Sequence, residues 1–185
     1  MRPNHLLPCL AIACTLSQPA FSEECEWYAG VQYTMLEAEL AFAGNNVNAD
    51  LDVANIIVGQ RFNEFFAVEG LMGIGLNDDA IASTQFNTFD FELDYIVGLT
   101  AVAYVPFIEY GAFYGKLGPA LAEYDDSANF DSDALGVYFA FGLDITYNDK
   151  IHLTFDYVQY PDGKYDDANI DIETDGYNFG ANYQF

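Results

Sequence analysis

The chain has 185 residues, the size of one ordinary domain, and its formal net charge at pH 7 is −24. Only five Lys and Arg stand against 29 Asp and Glu, so there is no basic patch for a phosphate backbone, and nucleic acid is excluded as a partner. Fourteen Tyr, sixteen Phe and fifteen Gly favour β-structure. No apolar run approaches the roughly 20 residues of a spanning helix, so any membrane crossing must use strands.

The amino-terminal segment has the features of a secretory signal. A positively charged start is followed by the apolar stretch 6–16 and by small residues up to Ser22. We therefore predict a signal peptide over residues 1–22 and one domain over residues 23–185. A lipoprotein anchored at Cys14 is the alternative. Removal of the signal would take Cys9 and Cys14 with it and leave Cys25 unpaired, which excludes a disulfide framework.

Alternation with a period of two predicts eight strands. The first three cover about 27–36, 51–61 and 66–76, with a tight turn at residues 63–64. The fourth, about 89–105, is the most regular. One of its faces carries only apolar side chains: Phe89, Phe91, Leu93, Tyr95, Val97, Leu99, Ala101, Ala103 and Val105.

Pro106 is predicted to mark the turn after the fourth strand, because proline cannot donate to a ladder. The fifth strand, about 108–124, is less regular, and a shift of phase is expected near Lys116. The sixth covers about 135–147, and a short turn at 148–150 leads to the seventh. The seventh covers about 151–158 and the eighth 177–185.

The connections alternate between short and long. Tight turns are predicted at residues 63–64, 106 and 148–150, and long loops at 37–50, 77–88, 125–133 and 161–175. An even number of strands places both termini at the end with the tight turns. Bacterial outer-membrane barrels have short periplasmic turns and long outer loops, so we expect the termini in the periplasm and the acidic loops outside the cell.

The two faces of the strands decide between a membrane barrel and a water-soluble one. A soluble lipocalin-type barrel would bury the aromatic face and expose the other, which should then be rich in long polar chains. That other face instead carries small residues such as Gly98, Gly142 and Gly180, which suit a crowded lumen. We therefore predict an all-β fold, an eight-stranded antiparallel up-and-down transmembrane β-barrel.

With these strands assigned, the sequence resembles the OmpA-like and OmpX-like small outer-membrane barrels of the opacity-porin type. The similar pieces are residues 27–31, residues 114–118 and the aromatic strand that ends at Phe185. The resemblance implies that the last strand is read by the barrel-assembly machinery. The residues that would carry this signal are Tyr177, Phe179, Tyr183 and Phe185.

Lys116 is a basic residue far from any strand end. If the alternation of the strand points its side chain into the lumen, Lys116 would lie among Glu69, Asp94, Asp144 and Glu92. An internal salt bridge that closes the lumen is the favoured interpretation, and a gated ion path is the alternative. An eight-stranded barrel is only wide enough for its own side chains, which argues against a permanent pore.

Two other groups are candidate sites of chemistry. His152, Thr154 and Asp156 share one face and faintly resemble the His-x-Ser of lipid A deacylases, but they lie beside the predicted periplasmic turn, far from outer-leaflet lipid A. Weak divalent-cation candidates occur in an acidic loop: Asp125, Asp126, Asp131 and Asp133. Bridging of cations to lipopolysaccharide phosphates is the functional alternative to plain solvation of this loop.

The sequence thus predicts an integral protein of the bacterial outer membrane with no catalytic residues and no cofactor. Its expected role is structural, or the presentation of loops for surface interactions. A narrow channel for ions or small solutes is one alternative, and a lipid A-modifying enzyme is another. The expected partners are outer-membrane lipid and lipopolysaccharide, the barrel-assembly machinery and an extracellular ligand of unknown identity.

Overall fold

A computed structural model describes residues 25–42, 45–81, 89–126, 132–165 and 170–185. The predicted signal peptide and its cleavage after Ser22 lie outside these residues. Within the described part of the chain, no helix is long and apolar enough to cross a membrane.

Strands account for almost all of the described residues. They are β1 (Glu26–Phe42), β2 (Asn45–Arg61), β3 (Phe66–Gly75), β4 (Asp78–Ile81), β5 (Phe89–Ile108), β6 (Gly111–Asp126), β7 (Ser132–Asn148), β8 (Ile151–Gln159), β9 (Gly163–Tyr165) and β10 (Ile170–Gln184). The short β4 pairs with β5 beyond β3, and β9 pairs with β10 beyond β8. β4 therefore extends the line of β3, and β9 extends the line of β8. Counted in this way, the wall has eight strands.

The sheet closes on itself. Neighbouring wall strands pair antiparallel in the order β1, β2, β3, β5, β6, β7, β8 and β10, and β10 pairs with β1. When ladder partners are followed once around the wall from Glu26, the path returns to β1 at Leu36, ten residues further along. This stagger tilts the strands against the barrel axis. The predicted eight-stranded antiparallel barrel is confirmed.

The wall has an apolar outer surface. Large hydrophobic side chains point outward on every wall strand; examples are Val31, Val58, Met72, Leu99, Leu117, Phe141, Phe155 and Phe179. The inward face carries polar, tyrosine, alanine and aliphatic side chains, but no phenylalanine among the buried residues described. Because the phenylalanine-rich face lies outside, the lipocalin-type alternative, which would bury it, is wrong.

A bulge in β5 changes one predicted face. The register against β6 shifts between Leu93 and Tyr95, so Asp94 is an extra residue on β5. Leu93 is therefore buried in the lumen, although the unbroken alternation predicted it on the apolar outer face with Val97. For the same reason Asp94 is exposed, and the expectation that it points into the lumen is wrong.

Two predictions around the following turn are also wrong. The turn lies at residues 109–110, while Pro106 remains in β5 opposite Ala112, just before a second register shift. Pro106 is tolerated because it lies near the strand end, where the ladder is already irregular. The expected shift of phase near Lys116 is absent: β6 pairs with β7 without a register shift, and Lys116 is buried in the regular inward phase.

The four long loops are shorter in the structure than the sequence predicts. Residues 37–50 are mostly strand, since β1 ends at Phe42 and β2 begins at Asn45, and parts of the other three loops belong to β4, β6, β7, β9 and β10. In these segments the alternation continues with a different composition: Ala38 and Ala49 point inward, while Glu37 and Asp50 point outward.

Outward carboxylates of β1, β2 and β10 form a continuous surface that we call the acidic wall. It consists of Glu37, Glu39, Asp50, Asp52, Glu173 and Asp175. Several lie directly opposite one another, including Glu37 with both Asp50 and Asp175. Like charges directly opposite in a sheet are unfavourable, and the backbone ladder, the inward packing and the hydrogen bond from the Asn48 amide to Glu37 act against this repulsion.

Candidate functional site

An ion pair lies in the middle of the lumen. Lys116 on β6 contacts Glu69 on β3, with 2.6 Å between Nζ and Oε1, and their side chains are only 2% and 3% exposed. The Tyr28 hydroxyl donates to the other carboxylate oxygen of Glu69 at 3.0 Å. All three residues occupy inward positions of their strands, so the strand period brings them into the lumen.

A second carboxylate, Asp156 on β8, extends this group. It accepts hydrogen bonds from the hydroxyl of Tyr114 and from the side-chain amide of Asn178, the latter at 2.8 Å. The Lys116 ammonium lies 5.3 Å from the centre of the Tyr114 ring, a cation–π distance. We call these six residues the central network: Tyr28, Glu69, Tyr114, Lys116, Asp156 and Asn178.

Further from the tight turns, the lumen is filled by tyrosines and amides. Asn55 donates to Thr34 at 2.7 Å and to the Tyr160 hydroxyl at 3.2 Å. The rings of Tyr138 and Tyr160 are 5.6 Å apart, centre to centre, and both are fully buried. Beyond them the inward side chains are largely apolar, and they include Leu51, Leu93, Ile96 and Ile172.

A separate charged group lies at the end of the barrel with the tight turns. Asp144 accepts from Arg61 at 3.3 Å and contacts His152 Nδ1 at 2.9 Å. The Arg61 guanidinium also lies 4.2 Å from the centre of the Tyr104 ring. These residues and Thr146 border a cavity of about 200 Å³, which we call the turn-end cavity.

The predicted charge cluster is therefore divided. Lys116 and Glu69 are in direct contact, Asp144 belongs to the turn-end group with Arg61, and Asp94 lies outside the lumen at the bulge. Sequence analysis missed the central role of Asp156. Its position on the inward face of β8 was visible in the alternation, but the stagger that brings it level with Lys116 was not.

The suspected catalytic residues are not arranged for nucleophile activation. His152 Nδ1 contacts Asp144 rather than Asp156, and the Thr154 hydroxyl has no hydrogen-bond partner among the described residues. A nucleophilic hydroxyl needs a base within hydrogen-bond reach. The geometry therefore gives no base to Thr154.

Three of the four cation candidates lie on strands. Asp125 and Asp126 end β6, Asp133 lies near the start of β7, and Asp131 is outside the described residues. Among the described residues, no group of three or more His, Cys, Asp or Glu side chains could hold a metal ion. Cation binding by the acidic segments therefore stays a prediction.

The residues of the expected assembly signal share one side of the last strand. Tyr177, Phe179 and Tyr183 point outward from β10, and Phe185 follows it with its backbone N–H bonded to Trp27. The strand closes the barrel against β1. Recognition of these side chains by the assembly machinery stays a prediction.

The chain is similar to known outer-membrane barrels. A family model described as outer membrane protein beta-barrel domain matches residues 7–185. Among solved structures, Neisserial surface protein A has a TM-score of 0.57 at 18% identity and covers 86% of this chain and 97% of its own. OprG from Pseudomonas aeruginosa has a TM-score of 0.58 at 14% identity, over 87% of this chain and 95% of its own.

A third similar structure is Ail of Yersinia pestis in complex with the heparin analogue sucrose octasulfate. Its TM-score is 0.55 at 18% identity, and the match covers 86% of this chain and 99% of that one. No curated protein matches the chain. At these identities the solved structures support the fold alone.

Proposed function

Because the chain belongs to the outer membrane protein β-barrel domain family, we propose that it is a non-enzymatic protein of the bacterial outer membrane whose lumen is closed by its own side chains. Its role is then structural, or lies in interactions at the cell surface. The observation that carries this proposal is the central network, in which Glu69 of the buried pair Lys116–Glu69 also accepts a hydrogen bond from Tyr28 on β1, while the Lys116 ammonium lies over the ring of Tyr114.

The central network reaches across the lumen rather than along one wall. Its side chains come from β1, β3, β6, β8 and β10, five of the eight wall strands. The interior of an eight-stranded barrel is only wide enough for side chains. A network anchored on so many strands supports a lumen that is closed along its axis.

A closed lumen is tested by conductance. Planar-bilayer recording of the refolded parent protein should show no steady single-channel steps, because an ion would have to break the Lys116–Glu69 pair. The double variant Lys116→Ala, Glu69→Ala should show discrete steps, because it removes both side chains of the buried ion pair from the central network. Lys150→Ala, at an exposed turn, is the matched control and should remain silent. Stable steps in the parent would favour the channel alternative instead.

The surroundings of Thr154 among the described residues support the non-enzymatic part of the proposal. Thr154 has no base, and His152 contacts Asp144 at the turn end of the lumen. The two groups are also buried inside the barrel wall, away from the lipid surface on which a lipid-modifying enzyme acts.

The proposal also assigns the orientation: tight turns and described termini in the periplasm, and the acidic wall outside the cell. Cys25 is a free, exposed cysteine at the turn end and serves as a reporter. A maleimide–polyethylene glycol too large for porins should not label Cys25 in intact cells, but should label it after lysis. In a Cys25→Ser background, Glu173→Cys on the acidic wall should be labelled in intact cells. Labelling of Cys25 but not of Glu173→Cys in intact cells would show that the orientation is the opposite one.

The proposed partners are outer-membrane lipid and lipopolysaccharide, the assembly machinery and an extracellular ligand. The charge of the acidic wall restricts that ligand. The Yersinia pestis protein was solved with a sulfated, polyanionic sugar. Carboxylates such as Glu37, Asp50 and Glu173 would repel a polyanion, so we propose a neutral or cationic ligand, or one bridged by divalent cations.

A further inference from the structure

Three neighbouring side chains of the lumen are buried and carry polar atoms without a hydrogen-bond partner among the described residues. Gln32, Thr154 and Asn182 are 3%, 7% and 7% exposed. Both polar atoms of the Gln32 amide, the Thr154 hydroxyl and the Asn182 carbonyl oxygen lack a hydrogen-bond partner among the described residues. A buried polar group left unpaired costs about 1–3 kcal/mol, so four such atoms in one place call for a ligand.

These side chains form one patch on the seam between β1, β10 and β8. Gly180 lies directly opposite both Gln32 and Thr154, while Asn182 lies directly opposite Gly30. A Cβ at Gly180 would come within 2.5 Å of the Thr154 hydroxyl oxygen, and one at Gly30 within 2.0 Å of the Asn182 oxygen. The two glycines therefore let the polar side chains lie close against the wall.

The patch adjoins the turn-end cavity. Thr154 is the ladder partner of Asp144, and Asn182 is the ladder partner of His152; Asp144 and His152 both border the cavity. In the other direction, the next inward residue of β8 after Thr154 is Asp156 of the central network. The patch thus lies between the cavity of about 200 Å³ and the layer that closes the lumen.

We propose that Gln32, Thr154 and Asn182 bind ordered water in a polar recess that is continuous with the turn-end cavity and ends at the central network. Water fits the chemistry, because the patch offers amide and hydroxyl groups that both donate and accept, with no net charge. A buried water typically makes about three hydrogen bonds to groups that are otherwise unpaired. The barrel is then a half-channel, hydrated from the turn end and closed beyond it.

The polar recess is tested on the unmodified protein in lipid bilayers by water-edited solid-state NMR, which follows magnetisation transfer from water to side-chain amides. Transfer to Gln32 and Asn182 should be several-fold faster than transfer to Asn178 and Asn55. The latter two are the controls, since they are also buried in the same lumen but donate to protein partners. Transfer to Gln32 and Asn182 as slow as transfer to Asn178 would show a dry recess and overturn the proposal.

The route of water is tested by Asn182→Leu, which replaces the polar side chain nearest the cavity with an apolar one of similar length. Transfer to Gln32 should fall to the rate of Asn178, while transfer to Asn55 stays unchanged. Undiminished transfer to Gln32 would mean that water arrives from elsewhere, and the continuity with the turn-end cavity would be wrong. If this variant does not assemble, the measurement on the parent protein still decides whether the recess is hydrated.

Discussion

Replacement of Lys116 by Met should lower the free energy of unfolding by about 3–5 kcal/mol, because it leaves the buried Glu69 carboxylate without its ion-pair partner. The size of the side chain is nearly kept, so the loss reports the charge rather than a cavity. The Tyr28 hydroxyl bond to Glu69 remains and offsets only part of this cost.

Unfolding in urea of the barrel refolded into lipid vesicles measures this effect. Trp27 is the single tryptophan of the chain and supplies the fluorescence signal. The double variant Lys116→Met, Glu69→Gln should recover much of the loss, since no unpaired charge is left in the lumen. Lys150→Met at the exposed turn is the control, and we expect it to be neutral. Equal losses in the single and double variants would show that the ion pair is not what the single change disrupts.

The second large effect is expected on the lipid-facing side. Leu99→Arg should cost about 2–4 kcal/mol, because it places a charge in the apolar band near the middle of β5. Ile108→Arg, at the end of the same strand, should cost about 0–1 kcal/mol, since the cost falls near the interface. The two native side chains are 57% and 59% exposed, so their exposure is matched and only their position along the strand differs.

Refolding yield in vesicles and urea unfolding measure this pair of variants. If the barrel lies in lipid, Leu99→Arg must lower the refolding yield and the free energy of unfolding more than Ile108→Arg does. If both arginines were tolerated equally, the outer surface would be covered by water rather than by acyl chains, and the membrane interpretation of the apolar face would fail.

The alternation of residue types was enough to predict the strands and most of their faces. It left open an inward position for Lys116 close to Glu69, and it placed phenylalanines such as Phe141 and Phe179 on the face that lies outside. Each such residue follows from the period of two, which is a local property of the strand. The number of strands and closure into a barrel followed from the same pattern.

Properties that depend on how strands meet could not be predicted in the same way. The bulge at Asp94 is an extra residue opposite β6, and no local signal in β5 reveals it. The stagger of the wall decides that Asp156 lies near Lys116 while Asp144 lies with Arg61 at the turn end. Both facts concern the register between strands, which alternation within one strand leaves open.

The error in the loops has a different cause. The predicted loop 37–50 contains acidic residues such as Glu37 and Asp50, which the structure places on strands. A strand that continues beyond the lipid can carry charge on its outer face while alanines such as Ala38 and Ala49 pack inside. Composition therefore marked the edge of the apolar band rather than the end of the strand.

The length of these strands has a consequence for recognition. A tilted strand needs only about 9–11 residues to cross the hydrocarbon core, whereas β1 and β2 have 17 each. The acidic wall is accordingly a ladder-bonded sheet surface. A partner that binds a preordered sheet does not have to immobilise mobile loops, and so it avoids the conformational entropy that such ordering costs. Specificity at this end of the molecule would come from the fixed spacing of carboxylates on a lattice set by the strands, and little from adaptation of the chain.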